Sequence, residues 1–173
     1  HGQERLSFEV FPGEVLGIAG VGGNGQTELT QALIGLIDIE SGSITVDQDD
    51  LSNASITKRR QHGFRLIPAD RAGFALIADL QNFENLALTK VATSDFGGRW
   101  WLSRRAMRQN AKALFQSSNI TGGTVNSKTR LLSGGNAQKL LLARELDTEA
   151  SVLIAHSPTR GLDIRAYAAV HDV

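Results

Sequence analysis

Near the start of the chain, Gly20-Val21-Gly22-Gly23-Asn24-Gly25 runs directly into Gln26 and Thr27. Gly20 and Gly25 frame four residues, and this matches the phosphate-cradling pattern G-x-x-x-x-G-K-[ST] everywhere except the lysine, whose place Gln26 takes. In such a loop, backbone N–H groups curl around phosphate oxygens, glycines let the chain take positive φ, and the next helix adds the partial positive charge of its N-terminus. Gln26 replaces an ammonium with a neutral amide. A charged hydrogen bond contributes about 1.5–3 kcal/mol net and a neutral one about 1 kcal/mol. The expected loss is roughly one to two orders of magnitude in nucleotide affinity, and more in phosphoryl chemistry. The same glycines also satisfy the dinucleotide fingerprint G-x-G-x-x-G, with Glu40 following as a ribose ligand. A bare turn between strand and helix is the third reading, and the loop by itself does not separate the three.

The elements that must position this loop are legible as patterns. Residues 5–11 alternate, with Leu6, Phe8 and Val10 set against Ser7 and Glu9, and read as a half-buried strand. After the Pro12-Gly13 turn, residues 14–19 read as a second, buried strand. A helix over 27–36 carries Leu29, Leu33 and Leu36 on one face. A short strand at 43–46, a polar loop at 47–52 and a helix at 55–61 follow, with Lys58-Arg59-Arg60 as a solvated helix face. Phe64–Ile67 is a strand stopped by Pro68, and 69–82 is a long connection. A short helix at 83–89 precedes a loop beside Trp100 and Trp101, which read as packed apolar residues. Ser103 caps a helix to 118 whose buried face holds Met107, Ala111, Leu114 and Phe115, and 121–129 is loop. Residues 132–136 enter a helix that ends at 146, Val152–Ala155 is a buried strand, 156–163 is a polar loop, and Ile164 begins a last helix. Strand–loop–helix alternation with a helical block at 83–146 predicts an α/β fold. Strands 15–19 and 152–155 are expected to be parallel neighbours, with the glycine loop and 156–163 at one edge of the sheet.

Composition excludes several classes. With 173 residues and 41% hydrophobic content the chain can build one core. Eighteen basic and 18 acidic residues cancel, so there is no charge excess for nucleic acid. The absence of cysteine rules out disulfides and thiolate metal sites. No apolar run approaches the roughly 18 residues of a membrane span, and no signal peptide is expected ahead of the first strand.

The last third of the chain separates the readings. Leu132-Ser133-Gly134-Gly135-Asn136-Ala137-Gln138-Lys139 resembles the LSGGQ signature of ABC-transporter ATPases. Downstream, Val152-Leu153-Ile154-Ala155-His156-Ser157 followed by Pro158-Thr159-Arg160-Gly161-Leu162-Asp163 is similar to that family's Walker B strand and D-loop. Ile67-Pro68-Ala69-Asp70-Arg71 and Phe83-Glu84-Asn85-Leu86 resemble the Q-loop region and the E-N-L helix. Together these are similar to the C-terminal, degenerate ATPase half of simple-sugar and nucleoside importers, and the nucleoside branch is the better match because its C-terminal half also lacks the Walker B acidic pair. A nicotinamide oxidoreductase has no reason to carry the later motifs.

The resemblance, which extends over 5–173, implies a P-loop NTPase of ABC-ATPase type. Its core sheet is mostly parallel, with N-terminal antiparallel strands and an inserted α-helical subdomain. It implies one domain over 1–173, truncated at its C-terminus, with 1–82 and 147–173 as core and 83–146 as helical subdomain. The family's adenine-stacking aromatic is expected upstream of this chain and its switch histidine downstream. The nucleotide-binding residues would be Gly20, Val21, Gly22, Gly23, Asn24, Gly25, Gln26 and Thr27, with Thr27 as a Mg²⁺ ligand. The signature residues would be Leu132, Ser133, Gly134, Gly135, Asn136 and Gln138, and the D-loop residues Gly161, Leu162 and Asp163. At the family's catalytic positions stand His156 for aspartate, Ser157 for glutamate and Ala69 for glutamine. The implied cofactors are ATP and Mg²⁺, both held weakly. The implied partners are a second ABC ATPase domain in the same polypeptide, membrane permease subunits and an extracytoplasmic solute-binding protein, at the cytoplasmic face of the membrane. The rival reading is a non-catalytic interaction module that keeps the fold and binds no nucleotide.

Overall fold

The computed structural model describes residues 6–91, 94–98 and 101–158. Helix α1 (Gln26–Ile34) begins after Gly25 at φ 91° and ends at Gly35, φ 84°. There the Gly35 N–H donates to Ala32 O at 3.1 Å and the Leu36 N–H to Gln31 O at 2.8 Å, the paired closure that a left-handed glycine permits. Strands β1 (Thr45–Val46) and β2 (Asp49–Asp50) form an antiparallel hairpin. Its two loop residues, Asp47 and Gln48, both have positive φ (49° and 74°), as a two-residue primed turn demands. Ser55 caps α2 (Ile56–Gln61) by accepting from the Lys58 N–H at 3.3 Å. Strand β3 (Phe64–Ile67) follows, and a wide turn, Arg71–Ala75, leads on to α3 (Asn82–Ala87). A minimal hairpin of β4 (Gly97–Gly98) and β5 (Trp101–Leu102) then leads to α4 (Arg104–Ser117), capped by Ser103. Helix α5 (Gly134–Leu146) and strand β6 (Val152–Ala155) complete the described chain.

β6 lies parallel to β3, pairing Phe64 with Val152 and Ile67 with Ala155, and the helices form the crossover that a parallel pair requires. The His156 N–H extends the ladder by donating to Ile67 O at 2.8 Å. The larger core is built on α3, α4 and α5, where Phe83, Leu86, Ala111, Leu140 and Leu141 are buried together with Ile67 of β3. A smaller core holds Ile34, Leu51 and Phe64. Asn85 of α3 is fully buried and is satisfied as a strand residue would be. Its Oδ1 accepts from the Ile77 N–H at 2.9 Å, while its Nδ2 donates to Ile77 O at 2.8 Å and to Thr129 Oγ1 at 2.7 Å.

Several expectations are corrected. Segments 5–11 and 14–19 form no strand over their described residues. Val15 is 94% exposed and Ile18 48%, and β6 pairs with β3 instead of with 15–19. Apolar alternation marks a chain that can join a sheet, but a strand exists only where another supplies hydrogen bonds, and among the described residues none pairs with 6–19. For the same reason β6, with one partner strand, is only half buried, and Leu153 is exposed. β2 falls where a polar loop was expected, because Asp-Gln lacks the glycine that usually announces a tight hairpin. Trp101 is 80% exposed rather than packed, and Trp100 lies outside the described residues.

Lys58-Arg59-Arg60 is not a solvated face. Arg59 is 2% exposed, and its guanidinium donates to Ala32 O, to Leu33 O at 2.7 Å, to Ser52 O at 2.9 Å and, through Nε, to Ala54 O at 3.1 Å. Burial pushes its pKa below the usual arginine value, with Asp38 opposing. The end of α1 is thereby tied to the loop ahead of α2. Gly35 is required at this closure, because a Cβ there would meet Arg59 Nε at 3.1 Å and Ala54 O at 3.2 Å. Replacing Arg59 by methionine removes the guanidinium bonds to four carbonyls while keeping most of the side-chain volume. Urea denaturation should register a loss of about 3 kcal/mol.

Candidate functional site

The glycine loop is built as an anion cradle and is filled by its own side chain. Gly23 and Gly25 both have φ 91°, and the Asn24 N–H closes a turn onto Val21 O at 3.2 Å. No side chain caps α1, so its first N–H groups remain available at the mouth of the loop. Gln26, however, folds back, and its Nε2 donates to Val21 O at 3.3 Å. A Cβ on Gly20 would lie 2.1 Å from that nitrogen, so the amide occupies the space that the glycine opens. Thr27 is exposed at the same helix end.

The second motif is open where the first is filled. Ser133 caps α5, its Oγ accepting from the Asn136 N–H at 3.4 Å and from Asn136 Nδ2 at 3.1 Å. Among the described residues its own O–H has no acceptor, and both Ser133 and Gly134 are exposed. Ser133 thus presents a hydroxyl donor, with the first amides of α5, to whatever faces that end. Leu132 packs against the larger core and Gly135 is half buried, so the motif is anchored on one side. Asn136 also accepts from the Thr121 N–H at 2.9 Å, and Lys139 Nζ donates to Asn119 O at 3.1 Å, which stitches the loop after α4 to the signature helix. The sequence carried no signal for Thr121 or Asn119 as partners, because only the packing of α4 on α5 brings them there. Gln138, counted among the signature residues, lies inside. It is 2% exposed, and its Nε2 donates to Pro158 O at 2.8 Å.

Of the residues expected at catalytic positions, His156 is half buried just beyond β6, Ser157 is exposed with φ 48°, and Ala69 is half buried beyond β3. β3 and β6 being parallel neighbours, Ala69 and His156 follow strands that end side by side. Among the described residues no hydrogen bond joins Ala69, His156 or Ser133 to the glycine loop. Gly161, Leu162 and Asp163 lie outside the described residues.

Comparison with known proteins places this geometry. The family model for ABC transporters matches residues 3–160. The chain belongs to the ABC transporter family. It is 38% identical to the glucose import ATP-binding protein TsgD13 of Haloferax volcanii, over 97% of this chain and 31% of that protein. It is 35% identical to the nucleoside import ATP-binding protein NupA of Lactococcus lactis, over 96% of this chain and 33% of that protein. It is 37% identical to the guanosine import ATP-binding protein NupO of Bacillus subtilis, over 96% of this chain and 32% of that protein. The chain thus spans about a third of the length of the relatives it matches. A dimeric ATP-binding cassette, MJ0796, in a post-hydrolysis state with ADP and Pi superposes with TM-score 0.68 at 23% identity, covering 88% of this chain and 64% of that one. The fold is therefore that of a P-loop ABC cassette: α/β, with the parallel β3–β6 pair and an antiparallel hairpin.

Of a nucleotide's two demands, phosphate oxygens need donors, and the loop amides and the end of α1 are such donors. Mg²⁺ keeps several waters and leans on substrate phosphates, and Thr27 offers it one hydroxyl.

Asn136 generates a direct prediction. Asn136→Ala removes both the Thr121 bond and one of the two bonds to Ser133 Oγ. Amide exchange at Thr121 should accelerate about tenfold, and chemical denaturation should show a loss of about 1–2 kcal/mol.

Proposed function

We propose that this chain is part of the ATP-binding component of a sugar or nucleoside importer, and that within it the chain is a degenerate nucleotide-binding domain serving mainly a partner's site. The observation that carries this reading is the contrast between two motifs. Ser133 is capped, anchored and open with an unused hydroxyl hydrogen, while the glycine loop holds its own Gln26 amide. In a head-to-tail pair of cassettes, the signature of one domain completes the nucleotide site of the other, so the two motifs serve different sites. The importer names of its relatives support the importer reading, and the dimer of MJ0796 supports a second cassette as partner. The partners that follow are a second ABC ATPase domain, membrane permease subunits and a solute-binding protein. No helix among the described residues is long and apolar enough to cross a membrane, which accords with a peripheral seat on the permease at the cytoplasmic face. Residues 83–146 form the helical subdomain in this reading, and 1–82 with 147–173 form the core.

The chain's own site lacks the chemistry of hydrolysis. Ala69 cannot orient a water, Ser157 is a poor base at neutral pH, and His156 provides no fixed negative charge. Losing one transition-state contact of this kind lowers a rate by about 10²–10³, and here several are missing at once. Steady-state phosphate release from the chain alone with Mg-ATP should stay at background. A turnover near ~1 s⁻¹, the low end for enzymes, would show that the lost residues are not the chemistry.

The folded-back Gln26 also favours a second reading, an interaction module that takes no nucleotide. Equilibrium dialysis against ATP and NAD separates the two, with weak ATP binding expected and none for NAD. In the assembled transporter, Ser133→Arg puts a bulky cation where the capping hydroxyl meets phosphate. ATPase rate and uptake should fall by about 10² or more, whereas Gln26→Ala should change both less than about threefold. The opposite ranking would make the glycine loop the working site.

A further inference from the structure

Five residues after Ser133, the Gln138 side chain reaches 20 residues along the chain to Pro158 O at 2.8 Å. Gln138 is 2% exposed and Pro158 half buried, so losing this bond strands the buried amide, a cost of about 1–3 kcal/mol for an unmet buried donor. Its acceptor sits in an unusual turn. Ser157 has φ 48°, a left-handed conformation that costs a non-glycine residue on the order of 1–2 kcal/mol and persists only where its surroundings impose it. Two restraints impose it. On one side the His156 N–H is fixed to Ile67 O at 2.8 Å, as an extension of the β3–β6 ladder. On the other side Pro158 is held by α5 through Gln138. The helix that presents Ser133 to one nucleotide site is thereby joined to the turn that carries the His156 and Ser157 positions of another.

We propose that Gln138 is a positioning residue that makes the signature end of α5 and the turn after β6 move as one body, and so couples the two nucleotide sites to which this chain contributes. The coupling rests on the division of sites proposed above. The link itself does not, because it is a property of this chain. Displacing α5 by a nucleotide at Ser133 pulls directly on Pro158, and displacing the turn pulls back on Ser133. Coupling of this kind is reciprocal and typically amounts to 5–150-fold in affinity.

Two variants and two readouts test it. Gln138→Met keeps the volume and loses the donor. Gln138→Glu keeps size and polarity but at neutral pH presents only lone pairs to Pro158 O. In the chain itself, hydrogen exchange at the His156 and Ser157 amides should speed up about tenfold in both variants, while the body of β3 stays protected. Unchanged exchange in both overturns the link. In the assembled transporter, the ATP dependence of hydrolysis should lose its cooperativity, with the Hill coefficient falling towards one and half-saturation rising roughly 2- to 12-fold, the square root of the lost coupling. A merely structural role would lower the amount of active protein without altering the shape of that curve. A wild-type transporter that does not hydrolyse ATP overturns the division of sites and the coupling with it. A cooperative wild type whose variants keep the same Hill coefficient overturns the coupling alone.

Discussion

A helix buried along most of its length must find partners for every polar side chain it carries, and α5 is such a helix. Between Gln138 and Glu145 almost every residue is buried, and three of them are polar or charged. Gln138 goes to Pro158 O. Arg144 donates to Ala75 O at 2.8 Å and, through Nε, to Glu145 at 3.0 Å. Glu145, itself 2% exposed, takes a second cation from Arg60 at 2.9 Å. Burial pushes the Arg144 guanidinium below its usual pKa, with the Glu145 carboxylate opposing. Deleting one member of such a group leaves another charged and dry, which typically costs about 3–5 kcal/mol. These obligations fix α5 against the turn after β3, against α2 and against the turn after β6. They therefore set where its free end, with Ser133, points.

The first residues of the described chain show the opposite regime. Residues 6–24 are exposed throughout and make few bonds beyond their own turns. The glycine loop accordingly satisfies itself, with Gln26 folded into the cradle where the family's lysine would reach outward. An ammonium can only donate and carries a charge that seeks an anion, whereas an amide is content with a backbone carbonyl. One substitution therefore changes both the charge of the loop and its resting shape. At the signature end, by contrast, the Ser133 hydroxyl hydrogen has no acceptor among the described residues.

Much of the helical architecture was legible in advance. Helices expected at 55–61, 103–118 and into 146 are present; Ser103 caps its helix as its type implied, and Ser55 and Ser133 accept the same bond at theirs. The Met107, Ala111 and Phe115 stripe is the buried face of α4. Strand β3 ends before Pro68 as expected. The run of Lys58-Arg59-Arg60 misled, because charge alone does not say whether carbonyls wait nearby. Arg59 is internal only because the end of α1 and residues 52–54 leave four acceptors pointing at it.

The sequence by itself determined the family, through three motifs whose order and residue types an unrelated fold has little physical reason to carry together. It also named the positions, Gln26, Ala69, His156 and Ser157, on which the proposed loss of hydrolysis rests. Those conclusions depend on which atoms are present. Three things were decided only by tertiary structure: that β6 pairs with β3, that Gln26 lies inside its own loop, and that Gln138 faces inward to hold Pro158. Each concerns which donor meets which acceptor across 5 to 88 residues of chain, from Gln26 on Val21 to the Phe64–Val152 register. Local periodicity says only that a group needs a partner. Packing selects which one it meets.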